Sequence, residues 1–241
     1  MIQLLANPQR FMDFSKWAAP IFGILAVALL GTGFTLAFAV PEGVEGSGGS
    51  GDAIRFLFFH PQLATMSMAI YAAMAASAFF GFVFRHLLAD AGARAAAPLG
   101  AGFTFLALAT GSLWGVKTWG TWWIWDAKLT AELVLFLLYL GYMALLAAID
   151  DETKATRAAN ILAMVGVINL PIIYFSVYWW NSIHQGSSMG GNHLGPDYVA
   201  PFILNMLGFA ALFCALWIVR VRAEVWRRKA GALAVQAAGK S

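Results

Sequence analysis

The chain has 241 residues, 61% of them hydrophobic and only 11% charged, with a net charge of +3 and a mean hydropathy of +0.72. A water-soluble domain carries roughly 25% charged residues, so this composition excludes a chain whose whole surface faces water. The single cysteine, Cys214, excludes an intramolecular disulfide and C-x-x-C thiol chemistry.

Six apolar stretches follow one another: Pro20–Val40, Leu63–Phe84, Pro98–Val116, Leu129–Ile149, Ala158–Tyr178 and Pro201–Val219. At 1.5 Å per residue each reaches about 30 Å, the thickness of the hydrocarbon layer. Strands crossing a membrane are shorter and alternate strictly, and no such pattern is present. The expected fold is therefore all-α: a polytopic membrane protein of six transmembrane helices, forming a single integral domain over residues 1–241. The first stretch is too long for the apolar core of a signal peptide and reads as a retained anchor. A Gly/Ser-rich run, residues 45–51, follows it and reads as a flexible linker.

With six spans both termini share one side. That side carries Arg10, Lys16, Arg85, Arg94, Lys154, Arg157, Arg220, Arg222, Arg227, Arg228, Lys229 and Lys240, against Arg55, Lys117 and Lys128 on the other, a split of twelve to three. The positive-inside rule then makes both termini cytoplasmic. The basic tail after Val219 is expected near the anionic inner leaflet before it frays. Membrane lipid is the expected partner of this basic side, and no nucleic acid is expected.

Three segments on the outer side hold the candidate chemistry. Arg55 to Pro61 leads into the second span, Trp114 to Asp126 follows the third, and Trp179 to Ser187 follows the fifth. Seven of the ten tryptophans lie there: Trp114, Trp119, Trp122, Trp123, Trp125, Trp179 and Trp180. An interfacial belt also enriches tryptophan, but a belt serves both faces, and five of these rings fall within twelve residues. If residues 119–126 are helical, Trp119, Trp122, Trp123 and Asp126 share one face and form an aromatic floor with a carboxylate at its rim. His60 and His184 flank that platform in sequence, which suits axial ligation of a planar iron macrocycle. Arg55, Lys117 and Lys128 are the outer cations available to its propionates.

Other polar residues read more plainly. His193 is expected to be a loop residue, His86 a solvated turn residue, and Asn169 with Pro171 a packing or kink feature. Glu132 lies in the fourth span, where an ionisable group is a functional candidate, although Lys128 four residues earlier offers an intrahelical pair.

At these motifs the sequence resembles the CcmC family of cytochrome c maturation proteins. The resemblance is carried by Gly111-Ser112-Leu113-Trp114-Gly115, by Trp119-Gly120-Thr121-Trp122-Trp123-Ile124-Trp125-Asp126-Ala127, and by Leu129-Thr130 with Glu132-Leu133. It continues through Asn169-Leu170-Pro171-Ile172-Ile173 and Trp179-Trp180-Asn181 to His184-Gln185-Gly186, so that it covers roughly residues 10–225. It implies a bacterial inner-membrane protein whose periplasmic tryptophan-rich "WWD" segment, here residues 114–128, holds haem b. His60 and His184 match the family's two iron-ligand histidines. The expected contacts of the porphyrin are Trp114, Trp119, Trp122, Trp123, Trp125 and Asp126, with Arg55 and Lys128 at the propionates. The implied partners are the ABC-type proteins CcmA and CcmB, the small membrane protein CcmD and the haem chaperone CcmE. Three features depart from the family pattern: Lys128 stands where arginine is usual, Pro61 directly follows His60, and the Gly/Ser-rich run is atypical. A lysine cannot form a bidentate fork to a carboxylate.

The chain lacks a G-x-x-x-x-G-K-[ST] loop, so nucleotide energy must come from a partner. It also lacks C-x-x-C-H for covalent haem attachment. A binding and transfer subunit is expected rather than a self-sufficient enzyme. A transmembrane electron-transfer cytochrome would place histidine pairs deep in its helices, and a solute transporter would line a path with polar groups and broken helices. The spans are almost free of polar residues apart from Asn169 and Asn205.

Overall fold

The computed structural model describes residues 7–40, 51–184 and 195–238. Among these the chain forms helices α1 (Pro8–Ala39), α2 (His60–Phe84), α3 (Leu87–Trp119), α4 (Ala127–Ala148), α5 (Glu152–Gly166), α6 (Asn169–Trp179) and α7 (Pro196–Ala238). A short 3-10 helix, Gly51–Phe58, precedes α2. They make six units long and apolar enough to cross a membrane, with α5 and α6 sharing one. It is a multi-pass membrane protein. Residues 45–50 and His193 lie outside the described residues.

Several helices outrun their apolar stretches. The tail expected to fray is helical to Ala238, and ion pairs tie down its first turns. Arg227 and Arg228 bind Glu224 at 2.8 and 3.0 Å, Arg227 reaches Glu152 on α5 at 2.6 Å, and Arg94 on α3 stands 3.5 Å from both carboxylates. Arg228 also donates to the Leu87 carbonyl at the start of α3. His86 is less solvated than expected: its Nδ1 accepts from Ala89 N–H at 3.2 Å and caps α3.

The fifth span is two helices rather than one. Pro171 has no N–H to offer the Val167 carbonyl, and that carbonyl accepts from Leu170 N–H at 3.0 Å instead, in a tighter turn. Asn169 begins α6 and donates its side-chain amide to the Ala131 carbonyl of α4 at 2.9 Å. The packing and kink role expected of Asn169 and Pro171 is what the structure contains.

The core is alanine-rich, with Ala78, Ala93, Ala96, Ala97, Ala159 and Ala163 fully buried around Ile70, Met74, Leu135 and Tyr139. Small residues let helix backbones approach closely where lipid offers no hydrophobic drive for association. Helix α1 packs mainly on α7, and α2 on α3. Buried polar side chains tie these units together at the tryptophan-bearing end. Asn205 on α7 donates to the Phe58 carbonyl at 2.9 Å, Gln62 on α2 donates to the Phe202 carbonyl at 3.4 Å, and the Phe58 ring stacks on Tyr198. The chain entering α2 is thereby fixed against α7.

Glu132 is buried in α4, but its bonded partner is Ser67 on α2, whose hydroxyl lies 2.6 Å away. The expected pairing with Lys128 is not a direct contact, and Lys128 acts on Glu132 only through its charge. A neutral hydroxyl bond across helices satisfies the carboxyl without desolvating a second charge, which is the less costly arrangement at this depth.

Candidate functional site

The site is built on the last turns of α3. His60, the first residue of α2, sets its Nδ1 at 3.1 Å from Thr110 Oγ1. The Thr110 hydroxyl has one proton, and it donates that proton back to the Leu106 carbonyl at 2.7 Å. With its proton used in this way the hydroxyl accepts from His60, the tautomer in which Nδ1 carries the hydrogen and Nε2 the lone pair, and the Ala107 carbonyl is a second neutral acceptor for the same ring. Gly111 lies directly beneath the ring. A Cβ there would stand 2.8 Å from His60 Cε1, closer than packed carbons tolerate. Trp114 meets the imidazole edge-on with centroids 5.5 Å apart and stacks on Phe56 at 6.2 Å.

Helix α3 stops at Trp119 because Gly120 takes a left-handed φ of +75°, a conformation that costs other residues dearly. Residues 121–126 are not helical. The shared helical face of Trp119, Trp122, Trp123 and Asp126 therefore does not form: the glycine ends the helix before the pattern can develop. The rings are instead distributed. Trp119 meets His184 edge-on at 4.9 Å, while Trp123 and Trp125 contact each other at 5.5 Å. Trp122 and Trp125 are exposed, as are Trp179 and Trp180.

Asp126 organises the second half. Its Oδ1 accepts from the N–H groups of Lys128 and Leu129 at 2.8 and 3.4 Å, capping α4. Its Oδ2 accepts from Ile183 N–H at 3.2 Å, and the Ser182 side chain bonds to the same carboxylate. His184 Nδ1 lies 3.1 Å from Oδ1. Burial alone would raise the carboxyl of Asp126, but these donors together hold it below its usual range. Burial likewise pushes His184 below an ordinary histidine, against the pull of Asp126 and with a further push from Lys128. A neutral ring facing a carboxylate must donate from Nδ1. His184, like His60, thus keeps Nε2 free as a lone pair.

Lys128 sits in the first turn of α4, within electrostatic reach of both imidazoles. Arg55 donates to the Phe38 carbonyl at 3.3 Å and lies over the Phe38 ring, at the end of α1. Lys117 is exposed in the last turn of α3. A cleft of about 670 Å³ between α4 and α6 adjoins the site through Asp126, though neither histidine lines it.

The donor set fits an iron porphyrin. Two imidazoles each have Nδ1 held by an acceptor, the arrangement that orients a metal-binding ring, and each ring is braced by its own tryptophan. The buried indole N–H groups of Trp114 and Trp123 have no acceptor within the described residues, so a bound group bearing carboxylates would find donors there. Thr110 and Gly111 were not singled out as functional from the sequence. A threonine in an apolar span commonly bonds back to its own helix, and nothing local signals the second bond that it accepts.

The CcmC family model, described as heme exporter protein C, matches residues 1–236. This chain belongs to the CcmC family. It is 43% identical to heme exporter protein C of Bradyrhizobium diazoefficiens, across 98% of this chain and 89% of that relative. The same identity holds with heme exporter protein C of Escherichia coli K12, across 90% and 88% respectively. With heme exporter protein C of Paracoccus denitrificans it is 38%, across 95% of each chain. Family membership extends over the segments that carry His60, the 114–128 stretch and His184 alike.

Proposed function

We propose that this protein binds haem b between His60 and His184 at the periplasmic face of the bacterial inner membrane. It presents the haem to the chaperone CcmE for cytochrome c biogenesis, as the C subunit of an ABC-type CcmABCD complex. The observation that carries this reading is the matched pair of imidazoles, each with Nδ1 engaged and Nε2 available. The names of the relatives, all heme exporter protein C, supply the cargo.

Haem would supply an iron able to take imidazole nitrogens, and His60 and His184 are the residues that would hold it. Thr110 and Asp126 fix the two ring orientations, and Trp114 and Trp119 brace the rings. The exposed indoles of Trp122 and Trp125 offer apolar area, at about 25 cal/mol per Å² buried. Lys128 and Arg55 are the cations assigned to the propionates. The twelve-to-three distribution of basic residues favours this end as periplasmic. ATP hydrolysis is assigned to a partner, and this chain to binding and transfer. An electron-transfer cytochrome would use a second ligand pair towards the other membrane face, where the described residues offer only His86, occupied as a helix cap.

Absorption spectroscopy of purified protein tests the reading. The expected result is a six-coordinate bis-histidine haem spectrum that is lost in both His60→Ala and His184→Ala. An unaltered spectrum in either variant removes that histidine as a ligand.

A further inference from the structure

We infer that the two imidazoles grip the iron unequally, His184 as the strong anchor and His60 as the ligand that lets go first. This rests on the ligand reading above and goes beyond it. The difference lies in what stands behind each ring. Behind His184 is a carboxylate, Asp126 Oδ1, at 3.1 Å. Behind His60 stand only neutral acceptors, Thr110 Oγ1 at the same distance and the Ala107 carbonyl.

An anionic acceptor draws the Nδ1 proton toward itself and leaves more electron density on Nε2, which makes the ring a stronger donor to a metal. Hydrogen bonds to an ionised partner are roughly twice as strong as neutral ones. The Asp126 carboxylate is itself held, with Oδ1 bonded by the N–H groups of Lys128 and Leu129 and Oδ2 by that of Ile183. Thr110 has no comparable charge, and its hydrogen is already committed to Leu106.

Both rings stand on fixed backbone, His184 at the junction of residues 121–126 with 181–184 and His60 at a helix start held against α7, so the difference between them lies in the acceptors. His60, on the side of α2 and α3, would thus be the ring that an incoming ligand replaces, and His184 the ring that would retain the cargo. Asp126 and Thr110 are positioning residues in this scheme, since each acts through the imidazole in front of it.

Resonance Raman of the ferrous haem-bound protein reads the bond directly. In His60→Ala only the His184 bond remains, and in His184→Ala only the His60 bond. The expected result is a higher iron–imidazole stretching frequency in His60→Ala, falling when Asp126→Asn is added. Thr110→Val added to His184→Ala should move its band by less. Equal frequencies, or the reverse order, overturn the inference while leaving both histidines as ligands. Bound haem with no iron–imidazole band in either variant removes the ligand reading and this inference with it.

Should either single-ligand variant fail to fold, carbon monoxide added to the ferrous protein with both histidines present gives the same answer. It displaces the weaker ring, so the C–O stretch shifts with Asp126→Asn and not with Thr110→Val or Thr110→Ser. A shift with Thr110→Val alone overturns the assignment.

Discussion

Gly111→Ala separates binding from stability at a single methyl group. The added Cβ would stand 2.8 Å from His60 Cε1, 3.5 Å from Nδ1 and 3.6 Å from Nε2. His60 cannot retreat with its backbone, because the Phe58 carbonyl two residues earlier is held by Asn205. The ring must turn away from Thr110. Overpacking of this kind costs about 1–3 kcal/mol, while alanine in place of glycine within a helix returns about 1 kcal/mol. The fold should therefore lose at most about 2 kcal/mol, taking the difference between these two effects. Haem affinity should fall roughly 10–100-fold, the range seen when a residue orienting a metal ligand is lost. Gly102→Ala, on the same helix with nothing within 4 Å of the new methyl, is the control. The assay is a haem titration followed at the Soret band, with thermal melts of both variants in the same detergent. Unchanged haem affinity in Gly111→Ala would refute the placement of His60 against α3.

Asp126→Ala removes a helix cap, worth about 1 kcal/mol, and leaves the half-buried His184 ring N–H without its acceptor; haem affinity should drop roughly 10–100-fold, and a Soret titration equal to that of the unmodified protein would contradict the role given to Asp126. Asn205→Leu strips the Phe58 carbonyl of its donor at a cost of about 1–3 kcal/mol. Hydrogen exchange should quicken at Phe59 and His60, and unchanged protection there would mean that α7 does not anchor this entry. Gly120→Ala forces a side chain into the left-handed region for about 1–2 kcal/mol, whereas Gly120→Asn should cost less. Equal melting temperatures for the two variants would argue against the turn as described.

The six spans were legible because lipid tolerates almost no unpaired polar group, so length and apolarity alone mark each crossing. His60 and His184 stood out because imidazoles are scarce in this chain and these two flank the tryptophans in sequence. The floor of indoles was misread because Trp119, Trp122, Trp123 and Asp126 do fall at helical spacing, and a repeat records spacing without recording whether a helix exists. Gly120 was the signal available, a glycine positioned to end a helix. Glu132 was matched with Lys128 by proximity along the chain, whereas its partner Ser67 lies 65 residues away on another helix. Thr110 could not be found at all, since its contact with His60 spans 50 residues and depends on how α2 meets α3.

Pulsed electron paramagnetic resonance on ferric haem-bound protein labelled with nitrogen-15 histidine tests the central claim most directly. Two histidine nitrogens coupled to the iron are expected, falling to one in His60→Ala and to one in His184→Ala. Coupling to the porphyrin nitrogens alone, or a pair that survives either substitution, would contradict it.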